Sequence, residues 1–231
     1  MMDDKVIRCN QSLARRCIGH AVDIVFCIDG TESQKETLDL VRRMIPRFFE
    51  DLYHSYHVTG RWIVQLRCKI ILFRDYQADG QYAMQTTDFF LLPQQENEFI
   101  KCINGIQARG GGDPQEDGLE ALAYAIKSSW TVSSTKKRHI IIVLSDADTH
   151  PLGYNKDFPN YPKGMSANLS DLEEWWEDEM DIRAKRLVLL TPNVGHWACV
   201  GENWSQTWLV PQEDLDERIY HELVRMLTNA M

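Results

Sequence analysis

The chain has 231 residues, 44% of them hydrophobic, and carries 34 acidic against 25 basic side chains for a formal net charge of −9. That surplus of negative charge argues against nucleic acid or an anionic membrane as the main partner, and nothing in the sequence approaches a membrane-spanning run. No Pro/Gly/Ser-rich linker, repeat or low-complexity segment divides the chain, so the expected organisation is an N-terminal extension over 1–19 and one α/β domain over 20–231.

The first twenty residues contain Asp3, Asp4, Arg8, Arg15 and Arg16 without an apolar centre, so no secretory signal is expected. Cys9, Cys17, Cys27, Cys68, Cys102 and Cys199 show no paired spacing, which points to reduced thiols and a cytoplasmic location. Val22, Ile24, Val25, Phe26 and Ile28 form a nearly continuous apolar run, the pattern of a strand buried on both faces, and the run stops at Asp29. Gly30 lets the chain turn, and Thr31 and Ser33 set two hydroxyls beside the Asp29 carboxylate. A helix follows, with Leu38, Val41, Ile45, Phe48 and Leu52 at spacings of three and four and a kink expected at Pro46.

Arg61 to Arg74 reads as the second strand, and Thr86 to Leu92 as an antiparallel edge strand paired with it after a turn at Asp79-Gly80. Glu96 to Ile106 reads as a short helix. The run Arg109-Gly110-Gly111-Gly112-Asp113 is a glycine loop leading into a longer helix, expected to begin near Pro114 or Gln115 and to end at Ser129. Glu116 would then lie in its first turn, where a carboxylate suits the helix dipole. His139 to Leu144 is a buried strand that delivers Asp146 at its end.

The stretch from Ala147 to Ser170 carries Pro151, Gly153, Pro159, Pro162 and Gly164, and should overhang whatever Asp146 serves. Its Tyr154, Phe158 and Tyr161 offer contact area to a partner, a disordered insertion being the alternative. Glu173, Glu174, Glu177, Asp178, Glu179 and Asp181 surround Trp175 and Trp176 and predict a helix with a solvated acidic face and inward tryptophans. Trp197, Trp204 and Trp208 read as core, while His150 and His196 are isolated and read as ordinary polar positions. Leu187 to Leu190 and Thr207 to Val210 are the last strands, and Leu215, Ile219, Leu223 and Met226 mark a closing helix.

These elements predict a doubly wound, Rossmann-like α/β fold, mostly parallel, in strand order 3-2-1-4-5-6 with one antiparallel edge strand and helices on both faces. Ligands collect at the carboxyl ends of such strands. Asp29, Thr31, Ser33, Glu116 and Asp146 all fall there or in the adjoining loop. Taken singly, each piece is commonly a helix cap or a connection. Together they assemble hard oxygen donors, which select Mg²⁺, Mn²⁺ or Ca²⁺ over zinc.

The Asp29-x-Thr31-x-Ser33 triplet, the Gly-Gly-Asp-x-x-Glu loop at Gly111 to Glu116 and the Ser145-Asp146 strand end resemble the von Willebrand factor A domain, over residues 20 to 230. The resemblance implies that fold and a metal-ion-dependent adhesion site. Ser33 and Thr31 would bind the cation directly, Asp29 and Asp146 partly through water, and Glu116 directly or through a neighbour, with Asp113 and Asp117 supporting. A partner protein's Asp or Glu would replace a water on the ion. Most members have Thr as the middle ligand, where this chain resembles the version with Glu.

Phe73-Arg74-Asp75-Tyr76 with Asp79-Gly80 is similar to intracellular bacterial members, some of which accompany protein kinases and phosphatases, so the implied role is a non-enzymatic scaffold. An enzymatic alternative is that Cys27-Ile28-Asp29-Gly30-Thr31 resembles the Asp-x-Asp-Gly-Thr strand end of haloacid-dehalogenase-like phosphatases. That family's nucleophile is the first Asp, where this chain has Cys27. Gly110 to Gly112 lacks the companions of a phosphate-binding loop.

Overall fold

The alternation along the first strand dictates two helical layers. In the computed structural model, which describes residues 18–211 together with Tyr220, His221, Val224 and Arg225, β1 (Ile18–Asp29) places Val22, Ile24, Phe26 and Ile28 on one face and Val25 and Cys27 on the other, all of them buried. In chain order there follow α1 (Lys35–Val58), β2 (Arg61–Phe73), α2 (Tyr76–Asp79), β3 (Met84–Thr86), β4 (Phe90–Leu92), α3 (Glu96–Gly105), α4 (Gly118–Ile126), β5 (Lys137–Leu144), α5 (Leu169–Glu174), β6 (Lys185–Leu190), α6 (Gly195–Asn203) and β7 (Thr207–Val210). Against the first face pack Leu38, Val41, Ile45, Phe48 and Leu52 of α1 with Phe99 and Ile103 of α3; against the second pack Leu119, Leu122 and Ile126 of α4 with Trp176, Trp197 and Trp204. Each fully buried aliphatic or aromatic side chain contributes about 1.5–3 kcal/mol, so losing either layer would expose a face the sheet cannot leave wet.

The sheet runs β3-β2-β1-β5-β6-β7, with β4 also on β2. The pairings among β1, β2, β5, β6 and β7 are parallel, and β3 and β4 run antiparallel to β2. This is the expected doubly wound order with its antiparallel edge, except that the edge strand comes in two pieces. The register on β2 slips by one residue between the pieces, and Thr87 stands at the slip. Its hydroxyl accepts from the Ile70 N–H at 3.0 Å, where a strand carbonyl would otherwise pair.

One interior break is absent and one boundary moves. α1 runs unbroken through position 46. α4 begins at Gly118 rather than near Pro114 or Gln115, so Glu116 lies outside the helix. The start is set from a distance: the Thr149 hydroxyl accepts from the Gly118 and Leu119 N–H groups at 3.0 and 3.2 Å and donates to the Glu116 carbonyl at 2.8 Å. Glu116 and Thr149 form an isolated parallel bridge there.

The acidic tryptophan run is α5 followed by a π-helical turn over Trp175–Glu179. Trp176 is buried, but Glu177 turns inward, where its carboxylate accepts from the fully buried Lys185 ammonium at 2.7 Å and from the Ser205 hydroxyl at 2.7 Å. Trp197 and Trp204 are core, and Trp208 is half-buried against the α1 face. Leu215, Ile219, Leu223 and Met226 lie outside the described residues. The register pairs Asp29 with Phe73 and Ile28 with Leu144. Asp29, Arg74 and Ser145-Asp146 therefore emerge at one level of the rim.

Candidate metal centre

Asp29 closes β1 with its carboxylate buried. Oδ1 accepts from the Thr31 N–H at 3.0 Å and the Thr31 hydroxyl at 2.7 Å, and Oδ2 accepts from the Ser145 hydroxyl at 2.8 Å. The Ser33 hydroxyl lies 3.2 Å from that of Thr31 and donates to Asp146 Oδ1 at 3.3 Å. The ends of β1 and β5 are thus joined by side chains of the residues singled out in sequence. Together with Glu116 they line one cleft of about 230 Å³, shared with Asp113 and the glycines at 110–112.

Glu116 is buried, yet its Oε2 has no hydrogen-bond partner. Burial, and then the charges of Asp29, Asp75, Asp79 and Asp117, push its carboxyl up to about 9. Burial likewise raises Asp29 to about 6, against the opposing hydrogen bonds from Thr31 and Ser145. An orphaned buried carboxylate oxygen, two hydroxyls and two further carboxylates around one opening are a hard donor set short of positive charge, and they fit Mg²⁺ or a similar cation.

Arg74, unassigned in the sequence beyond its place in a motif, organises the surrounding loops. Its buried guanidinium donates to the carbonyls of Gly30 at 3.0 Å, Arg109 at 2.8 Å, Tyr82 at 3.0 Å and Gln107 at 3.2 Å. Gly30 must be glycine for this approach, because a Cβ there would stand 2.8 Å from Arg74 Nη2. Gly111 has φ +89°, and its N–H donates to Asp79 Oδ2 at 2.9 Å. A Cβ on Gly111 would meet Glu116 Oε1 at 3.0 Å and Thr31 Cγ2 at 3.2 Å. Gly111→Ala is expected to cost about 1–2 kcal/mol of stability in urea unfolding and to weaken Mg²⁺ binding in a calorimetric titration.

Asp117 does not line the cleft. It is buried behind it, where its carboxylate accepts from the Tyr76 N–H at 2.6 Å and the Asn155 amide at 2.9 Å, and burial pushes it up to about 6. Asp113 sits half-exposed on the rim with Oδ1 3.4 Å from His150 Nε2. His150, expected to be an ordinary polar position, is buried between Asp113 and Asp75. No local spacing marks it, because its neighbours come from distant stretches of the chain.

The long loop packs beside the cleft rather than over it, and Tyr154, Phe158 and Tyr161 do not line the opening. Tyr154 is exposed and stacks on His150; Phe158 is half-buried. Tyr161 anchors the loop, its hydroxyl donating to Glu120 Oε1 at 2.7 Å and its ring lying 5.2 Å from that of Tyr76.

A family model of the von Willebrand factor type A domain matches residues 23–172. The alpha-protein kinase vwkA of Dictyostelium discoideum is 24% identical over 145 residues, covering 62% of this chain and 21% of the kinase. The chain thus spans about a fifth of that relative's length. Among solved structures, proximal thread matrix protein 1 from the mussel byssus superposes with a TM-score of 0.54 at 14% identity, over 93% of this chain and 49% of the other. That likeness is one of fold. The sheet order, the rim where three stretches meet and the matched span agree: this chain belongs to the von Willebrand factor type A domain family.

Proposed function

We propose that the domain is a non-enzymatic interaction module that captures an acidic side chain of a partner protein at a metal-ion-dependent adhesion site. Asp29, Thr31, Ser33, Glu116 and Asp146 would hold the ion, Mg²⁺ being the best match to hard oxygens, with Mn²⁺ or Ca²⁺ as substitutes. The observation that carries this reading is the meeting of Ser33 and Asp146 at 3.3 Å in the cleft that Glu116 also lines. When bound, the ion supplies an electrophilic centre with positions open to a carboxylate.

The protein's own residues prepare that centre. Asp29 and Asp146 accept the hydroxyl protons of Thr31 and Ser33, which turns the hydroxyl lone pairs free for a cation. With Asp29 and Asp146 acting partly through water, the neutral Thr31 and Ser33 hydroxyls would leave the ion electrophilic, so a chain of net charge −9 could still attract an acidic group. Asp113 stands on the rim, Asp117 behind it holds the Tyr76 N–H and the Asn155 amide, and exposed Tyr154 offers a partner contact beside the cleft.

The Cys27 thiol is fully buried in the face opposite α1, donates to the Ala121 carbonyl and is pushed up by burial. It is no substitute for a phosphatase nucleophile. The described cysteines Cys27, Cys68, Cys102 and Cys199 are unpaired, which fits a reducing, cytoplasmic setting. No helix among the described residues is long and apolar enough to cross a membrane. Similarity to part of a protein named as a kinase supports a place as scaffold in a kinase or phosphatase complex.

Immobilised chain should retain its partner in Mg²⁺, release it in EDTA, and fail to retain it when carrying Ser33→Ala. Retention unchanged by EDTA would overturn the reading. Mg²⁺-dependent hydrolysis of an aryl phosphate that disappears in Asp29→Asn would replace it with the phosphatase.

A further inference from the structure

Asp75, Asp113 and His150 converge beside the first cleft, with one side-chain atom from each within 4.8 Å of the other two. His150 Nε2 lies 3.4 Å from Asp113 Oδ1 and 3.6 Å from Asp75 Oδ2. Both separations exceed an ordinary N–H···O hydrogen bond of about 2.7–3.2 Å. The ring is buried, and its Nε2 has no hydrogen-bond partner. A buried ring nitrogen therefore faces two carboxylates without a hydrogen bond to either, an arrangement that costs free energy unless something fills it.

The surroundings hold these atoms in place. His150 stacks on Tyr154 with ring centroids 4.3 Å apart and planes 8° from parallel. Asp75 Oδ1 is engaged by the Gln77 and Ala78 N–H groups and by the Asn155 amide, so Oδ2 is the oxygen turned to His150. Asp113 Oδ1 accepts from the Gln115 N–H at 3.0 Å, and its side chain is 50% exposed, which leaves an entry from solvent. Gly111 faces Glu116 while Gly112 faces Asp75, so the glycine loop divides this cluster from the first cleft.

We propose that Asp75, Asp113 and His150 form a second cation site, chemically distinct from the first, that takes a divalent transition metal ion, with Zn²⁺ the best match. Ligands about 2.1 Å from a tetrahedral zinc ion stand roughly 3.4 Å apart, close to both separations at His150. An imidazole nitrogen beside two carboxylates suits zinc, whereas Mg²⁺ keeps to oxygen. The ion would tie together the strand end after β2, the glycine loop and the long loop after β5. Asp113 borders both sites, so filling this one would fix the rim of the other.

The test is equilibrium dialysis of the full chain against Zn²⁺ in a large excess of Mg²⁺, which keeps the all-oxygen cleft occupied. One Zn²⁺ per chain should be retained, and Co²⁺ in its place should give visible absorption bands from nitrogen-containing coordination. His150→Gln and Asp113→Asn should each weaken zinc binding at least about tenfold, with unchanged circular dichroism, while Ser33→Ala leaves it intact. Asp113 is on the surface, so its variant decides the matter if the buried His150→Gln does not fold. No zinc retained over Mg²⁺, zinc affinity that a folded variant leaves unchanged, or an equal loss in Ser33→Ala would each overturn the proposal.

Discussion

Asp29→Ala should lower Mg²⁺ affinity by at least about 100-fold, and partner binding with it, while the domain stays folded. The expectation rests on the three hydrogen bonds that Asp29 collects from Thr31 and Ser145. Its removal deletes a donor and also releases the Thr31 hydroxyl from the direction that presents it to the cleft. Loss of supporting interactions alone costs about 10–100-fold in metal affinity, and Asp29 supplies both kinds. Stability should change far less. Burial raises the Asp29 carboxyl to about 6, so at neutral pH the cation-free fold carries a desolvated charge whose removal offsets the lost hydrogen bonds. Mg²⁺ titration by calorimetry beside thermal melting in EDTA separates the two effects. Wild-type Mg²⁺ affinity in Asp29→Ala would remove the residue from the site, and loss of the melting transition would show that its role is structural.

Glu116 governs how the cation-free protein responds to pH. Its carboxyl titrates near 4.5 when free and at about 9 in the fold. Between those values the folded chain keeps a proton that the unfolded chain has given up, so stability falls as pH rises through the window and the loss is complete above the upper value. The slope reaches about 1.4 kcal/mol per pH unit. Between about pH 6.5 and 8.5 that amounts to roughly 3 kcal/mol, or about 6–12 °C in melting temperature for a domain of this size. Asp29 adds a smaller fall from 3.8 to about 6.

Glu116→Gln should flatten the profile above pH 6.5 and raise the melting temperature in EDTA at alkaline pH. Added Mg²⁺ should stabilise the wild type more as pH increases, because a bound ion replaces the proton, and should do far less for the variant. A wild-type profile that is flat in EDTA between pH 6.5 and 8.5 would refute this account.

Legibility in the sequence followed the range of the interactions. The strand character of Val22 to Ile28 and His139 to Leu144 lies within single strands, whose period is local, and the fold class follows from their order. Asp29, Thr31, Ser33 and Asp146 were readable because parallel strands deliver their ends to one rim, and the structure brings all four to one cleft with Glu116. The start of α4 was not readable, because it is set by the Thr149 hydroxyl from a loop beyond β5. Nor was the split edge strand, where the register slips by one residue and the Thr87 hydroxyl takes the place of a carbonyl at Ile70. Arg74 and His150 belong to the same class: their partners are remote in the chain, and a residue's type says little until its neighbours are known.

The Arg74 guanidinium has a consequence for kinetics. With one cation fastened to carbonyls from the turn after β1, from Tyr82 and from both ends of the segment before the glycines, the loops are already arranged before any ligand arrives. The entropy of ordering them is spent during folding rather than at encounter. Capture of an ion, and then of a carboxylate, should therefore proceed at rates set by water exchange and diffusion instead of waiting on a rearrangement of the backbone.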